Sequence, residues 1–176
     1  GWDGKTVVLN VCRFTKAERY YKGVDEYADL KGKLAEKNMS DSFIFIMAGK
    51  ATEADVEDAF KMGLVPKANL SDDDLVELYA AADIYVNFSK WEGYNLGIAQ
   101  ALAMGLPVIA SDTSAHREFP IVTCSHSEHA LEVLLRLKDK LAVSRTPRSP
   151  IAYDWNSHLQ ELDGYIKEIV LSRNQL

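Results

Sequence analysis

A chain of 176 residues has room for one full domain and not for two large ones. Its 47% hydrophobic content supports a sizeable core and excludes a disordered chain. A formal charge of −6 argues against nucleic acid as a partner, because proteins that bind DNA or RNA carry a basic surplus.

The first apolar run, residues 6–12, predicts a strand that begins almost at the first residue, the pattern of a piece of a longer polypeptide. Residues 24–37 predict a helix, with Val24, Tyr27, Leu30 and Leu34 at spacings of three and four. A second strand is predicted over 43–47, a short helix over 52–62, and a helix over 72–82 carrying Leu75, Val76, Leu78, Tyr79 and Ala82. A strand over 84–88 leads to a mostly apolar, and so buried, helix over 95–104, followed by strands over 107–110 and 121–124. Residues 128–141 predict a helix that presents Leu131, Leu134, Leu135 and Leu137 to the core. Residues 142–153, with Pro147 and Pro150, read as an exposed connection. A last helix, about 155–171, aligns Trp155, Leu159, Leu162, Ile166, Ile169 and Val170 on one stripe.

Short apolar strands alternating with amphipathic helices predict an α/β fold, a parallel sheet covered by helices on both faces. That Rossmann-like domain occupies 1–153, and the 154–176 helix docks on it or on a missing N-terminal domain. Neither a signal peptide nor an apolar run long enough to cross a bilayer is visible. Cys12 and Cys124 lie in apolar, strand-like surroundings and read as buried thiols of a reducing compartment.

Ligands of an open parallel sheet bind beyond the carboxyl ends of its strands. The first strand runs into a loop flanked by Arg13 and Lys22, two fixed cations suited to a diphosphate, though a solvated charged loop gives the same pattern. After the strand over 84–88, Ser89 to Leu96 place Gly93 just before a helix, where backbone N–H groups and the helix dipole attract an oxyanion. Glu92 beside such a site repels phosphate but accepts hydrogen bonds from hydroxyl groups, a combination that fits a ligand with both phosphates and a polyol. The competing reading is a helix start with an ordinary acidic flank.

Other signals are weaker. Asp72-Asp73-Asp74 has the form of a metal-binding D-x-D, but Ser71 before it makes it a capped helix start. Cys124, His126 and His129 lack a zinc spacing, and Ser125 with Glu128 predicts a capping box instead. The dinucleotide fingerprint, the phosphate-cradling G-x-x-x-x-G-K-[ST] loop and the G-x-S-x-G elbow are absent. His116-Arg117 either reaches the site or lies on a surface loop.

Residues 81–111, AADIYVNFSKWEGYNLGIAQALAMGLPVIAS, resemble the D–strand–S-x-x-E-G-[FY]…E-A-x-A-x-G-x-P-V-I-A-S block of the family 4, or group 1, retaining glycosyltransferases. Ser71 to Leu75 resembles that family's V-S-D-E-E-L helix start, and Val11-Cys12-Arg13-Phe14 with Lys22-Gly23-Val24-Asp25 its V-G-R-x…K-G-x-D. The resemblance spans essentially the whole chain and implies the C-terminal, donor-binding half of a GT-B fold.

It also implies roles. Arg13 and Lys22 would bind the donor diphosphate, and Glu92 the donor sugar. Gly93, Tyr94, Asn95 and Leu96 would hold sugar and phosphates, together with Gly49 at the end of the second strand. The 66–70 segment, with Lys67 and Asn69, would line the base. The family's second glutamate, eight positions after the first, is Gln100 here and would face the ribose with an amide. Other departures are the glycine-poor 113–118 loop and the single Gly49 after the second strand. The resemblance implies a nucleotide-diphosphate sugar as substrate, with no metal and no other cofactor. Its partner would be an N-terminal domain of the same polypeptide, and its place the cytoplasm, with any membrane contact made through that domain. Gln100 keeps a second reading open, a non-catalytic binding module derived from such a transferase.

Overall fold

The computed structural model describes residues 4–143. Six strands, β1 (Thr6–Val11), β2 (Phe43–Gly49), β3 (Val65–Ala68), β4 (Ile84–Asn87), β5 (Val108–Ser111) and β6 (Val122–Cys124), form one sheet in the order β3-β2-β1-β4-β5-β6. Every neighbouring pair is parallel. The strands are joined by α1 (Val24–Glu36), α2 (Glu53–Lys61), α3 (Asp72–Ala81) and α4 (Leu96–Ala103), and α5 (Ser127–Val143) follows β6.

Successive residues of β1 serve opposite faces. Val8 joins Tyr27, Leu30 and Leu34 of α1 and Leu131 and Leu134 of α5 in one core layer. Val7 and Leu9 join Leu78 and Tyr79 of α3 and Ile98 and Ala101 of α4 in the other. The result is the predicted Rossmann-like sheet with a helical layer on each face.

The two central strands part company near their carboxyl ends. β1 pairs with β2 along its whole length, Thr6↔Phe43 to Val11↔Ala48. With β4 it pairs only at Val8↔Ile84 and Leu9↔Tyr85. Beyond that point the Asn10 side chain donates Nδ2 to Val86 O at 2.6 Å, and Tyr85 Oη reaches Val11 O at 3.2 Å. Side chains thus replace the ladder where the strand order reverses, which is where such sheets open a crevice.

Three sequence expectations change. β3, VPKA, is an additional strand: it is short, half-buried and on the sheet edge, the position where a proline is tolerated and no long apolar run is needed. The predicted Ser125–Glu128 capping box does not form. The helix starts at Ser127, His126 Nδ1 accepts the His129 backbone N–H at 3.2 Å, and Glu128 turns to Lys33 Nζ at 2.6 Å. The helix also runs on to Val143, into the stretch read as a connection. The rest of that connection and the helix expected over 155–171 lie outside the described residues. Asp72, Asp73 and Asp74 occupy the first turn of α3, where Ser71 Oγ accepts the Asp74 N–H at 3.2 Å.

Candidate functional site

A cleft of about 390 Å³ opens over the carboxyl ends of β1 and β2 and the N-terminus of α4. The 12–23 loop forms one wall. It is anchored by Phe14, which is buried and bonds Lys50 O through its N–H at 3.2 Å. Lys16 N–H adds a bond to Asp55 Oδ1 at 2.8 Å. Asp55 also closes a capping box with Thr52 on α2. Hydrogen bonds from the Thr52 side chain and backbone hold the Asp55 carboxyl below the usual value. A helix cap therefore fixes the loop that carries the two predicted cations.

Those cations arrive already paired. Lys22 Nζ lies 2.8 Å from Glu92 Oε1, and each side chain is only 14% exposed. Arg13 is 60% exposed and meets Glu18 Oε1 at 2.8 Å. Burial alone would raise the Glu18 carboxyl. Hydrogen bonds from Tyr21 and Thr15, with Arg13 and Lys22 nearby, outweigh it and hold the group below its usual value. Glu92, an odd neighbour for phosphate in the sequence, is thus the counter-ion of Lys22. Its second oxygen is the one not used by that ion pair.

Close backbone approach shapes the floor. Gly49 has φ 139°, and a Cβ there would stand 1.9 Å from Cys12 O. Gly23 has φ 65°, and its Cβ would meet Phe88 O at 2.1 Å, so the start of α1 lies against the end of β4. Cys12 lines the cleft with its Sγ 3.7 Å from Met47 Sδ, and burial pushes its thiol up to about 12.

The other wall is the start of α4. Asn95 caps it, its Oδ1 accepting the Ile98 N–H at 3.2 Å. Gly97 lets the helix settle on the sheet, since a Cβ there would lie 2.3 Å from Tyr85 Oη. Tyr79 Oη reaches both Gly97 O at 3.2 Å and Gln100 Oε1 at 3.1 Å. Trp91, 73% exposed, stands on the loop before the helix.

The cleft thus brings together Arg13, Lys22, Gly49, Glu92, Tyr94, Asn95, Leu96 and Gln100 from the predicted set. Gly93 lies in the same loop and is exposed, outside the lining. Lys67 is on β3, and Asn69 just after it, neither of them in the lining. Asn69 has φ 55° and donates Nδ2 to Ala51 O at 2.9 Å, tying together the connections that follow β2 and β3. Sequence reasoning missed Glu18, Tyr79 and Lys50. A glutamate three residues after Thr15 and three before Tyr21 carries no signal until the loop coils. His116 neither reaches the cleft nor lies on the surface: it is fully buried behind Asn95. Among the described residues no group of three or more His, Cys, Asp or Glu side chains converges as a metal site, and no helix is long and apolar enough to cross a membrane.

Comparison with known proteins agrees with this architecture. The lipopolysaccharide core biosynthesis mannosyltransferase LpsB of Rhizobium meliloti is 32% identical over 124 residues, 64% of this chain and 34% of that protein. Among solved structures, WaaG, a glycosyltransferase involved in lipopolysaccharide biosynthesis, matches with a TM-score of 0.61 at 20% identity, over 77% of this chain and 38% of its own. TarM of S. aureus, solved with Fondaparinux, alpha-GlcNAc-glycerol and UDP, matches with a TM-score of 0.62 at 16% identity, over 77% of this chain and 29% of its own. The pneumococcal O-GlcNAc transferase GtfA, solved with UDP and GlcNAc, gives 0.59 at 16% identity, over 95% of this chain and 36% of its own. The chain therefore spans about a third of the length of these relatives. Residues 5–140, from the start of β1 into α5, match the sequence model of the glycosyl transferases group 1, and with the sheet order and the cleft in agreement this chain belongs to that family.

Proposed function

We propose that the cleft binds the nucleotide-diphosphate sugar donor of a retaining glycosyltransferase, of which this chain is the donor-binding part. The observation that carries the reading is the largely buried Lys22–Glu92 pair facing the capped start of α4 across the switch point of the sheet. A diphosphate placed there meets Lys22, Arg13 and the positive end of α4, while Glu92 keeps one oxygen for a sugar hydroxyl. Gln100 would meet the ribose, and the strand-end segment with Lys67 and Asn69 the base. The UDP named with TarM and GtfA supports a nucleotide of this kind.

The mechanism follows from where charge develops. Cleaving the bond between anomeric carbon and phosphate leaves negative charge on the nucleoside diphosphate. Arg13, Lys22 and the α4 N-terminus stabilise it without recourse to a metal. The sugar, oxocarbenium-like at that moment, passes to an acceptor hydroxyl with its configuration retained. The acceptor would be a growing glycan, in keeping with the lipopolysaccharide role named for LpsB and WaaG. The acceptor side would lie on the remaining two thirds of the length typical of the relatives. This chain then binds donor and transfers nothing by itself.

Calorimetric titration with UDP, GDP, ADP and their sugars, without divalent metal, tests the reading: one nucleotide is expected to bind selectively. Failure of all three at millimolar concentration would favour the non-catalytic module that Gln100 suggests.

A further inference from the structure

Behind the start of α4 lies a relay of three polar side chains, two of them buried and the third, Ser111, half-buried. His116 is fully buried and Asn95 is 5% exposed. His116 Nδ1 lies 2.8 Å from Ser111 O, and its Nε2 lies 3.0 Å from Asn95 Nδ2. Ser111 Oγ in turn donates to Ser89 O at 2.5 Å, so the relay joins the ends of β4 and β5 to the first turn of α4.

Hydrogen-bond chemistry fixes the direction of every bond in it. Ser111 O only accepts, so His116 Nδ1 carries the proton. The neutral ring then offers a lone pair at Nε2, and Asn95 must present its NH₂ to it. That leaves Asn95 Oδ1 toward the Ile98 N–H, which only donates. The two ends of the chain, a carbonyl and a backbone N–H, demand the same orientation of the amide. Burial, which lowers the basicity of the imidazole, favours the neutral form that this order requires. The charged groups that act on the ring are Glu92 from the β4–α4 connection and Lys22 from the 12–23 loop. Asp112 and Arg117, on its own loop, pair with each other at the surface at 2.7 Å.

We propose that His116 is a positioning residue for the nucleotide site: its ring locks the Asn95 amide as the cap of α4 and so fixes the helix N-terminus at the cleft. The consequence for ligand binding rests on the donor-site reading above. The clamp itself does not.

Two substitutions separate the arms of the ring. His116→Gln places an amide oxygen near the Nε2 position and keeps an acceptor for Asn95. His116→Asn keeps a donor for Ser111 O and removes that acceptor. Amide hydrogen exchange at Ile98 and titration with UDP, GDP and ADP are measured on the wild-type chain and both variants. The expected result is faster Ile98 exchange and at least tenfold weaker binding of the preferred nucleotide in His116→Asn, with His116→Gln close to wild type on both counts. Equal Ile98 exchange in the two variants, or the reverse order, overturns the clamp whatever the nucleotide does. Faster exchange in His116→Asn alone, with no nucleotide bound by the wild type, upholds the clamp and removes the donor-site reading.

Discussion

Lys22 and Glu92 stand 70 residues apart in the chain and 2.8 Å apart in the fold, so neither can be changed singly without leaving the other unpaired in that contact. Lys22→Ala leaves a largely buried carboxylate without its partner. It should destabilise the chain by about 1–3 kcal/mol and weaken nucleotide binding together, read as a lower unfolding midpoint and a higher Kd. Arg13 is different: it is exposed, and Glu18 remains held by Tyr21 and Thr15 without it. Arg13→Ala should weaken nucleoside diphosphate binding by about 1.5–3 kcal/mol, the range for a charged hydrogen bond, with the unfolding midpoint unchanged. Unaltered affinity would remove Arg13 from the site. Gln100→Glu should tighten a ribonucleoside diphosphate by about fivefold, and not its 2′,3′-dideoxy counterpart, because a carboxylate makes the stronger bond to a diol. Cys12 and Cys124 are pushed by burial up to about 12 and about 11, so both remain thiols near neutral pH. Alkylation at pH 8, followed by mass spectrometry, should be slow at both positions in the native chain and fast after unfolding.

At the scale of elements, Gly97 and Gly49 are two of the glycines that let secondary structures touch at the site. A Cβ on Gly97 would strike the buried Tyr85 hydroxyl, which is stacked on Tyr79 with centroids 5.9 Å apart. Gly97→Ala should therefore lift α4 from the sheet at a cost of about 1–3 kcal/mol. The shift would appear in denaturant melts and as a loss of nucleotide affinity. Gly49→Ala meets backbone, Cys12 O, at a φ that side chains rarely adopt, and should cost more than about 3 kcal/mol. These glycines are visible in the sequence, but their reasons are not. Gly97 answers to Tyr85, 12 residues back, and Gly49 to Cys12, 37 residues back. The strands and helices themselves were legible because apolar runs and three-four spacings are local. β3 was not, because an edge strand of four residues with Pro66 and Lys67 makes no run. The first turn of α5 was misread because Glu128 is drawn to Lys33 of α1, a tertiary contact that competes with the local box.

For the whole molecule, acid should act in two stages. The buried His116 ring is held below the ordinary histidine value by desolvation. The unfolded chain binds a proton there that the folded chain refuses, so its contribution is full above about pH 6.5 and declines as pH falls toward the lower folded value. Asp55, Asp112 and Glu128 are held below their ordinary values chiefly by hydrogen bonds from Thr52, Arg117 and Lys33 respectively. Their contribution is full above about pH 4.5 and is lost as pH falls through the folded values. Urea unfolding from pH 8 to about pH 2 should show both declines, and His116→Gln should remove the first. A flat response between pH 7 and pH 5 would contradict the buried neutral ring.

What the sequence determined by itself was the α/β class, most element positions, the family block over 81–111 and most of the residues that line the cleft. These rest on local periodicity and on motifs that occupy consecutive positions. Only the tertiary structure decided that the two cations carry acidic partners, that the central strands separate after Leu9, and that His116 is buried against Asn95, neither reaching the cleft nor lying on a surface loop. Each of those facts joins residues distant in the chain. Their pairing depends on burial and on distances set by the packed sheet, and no local pattern records either.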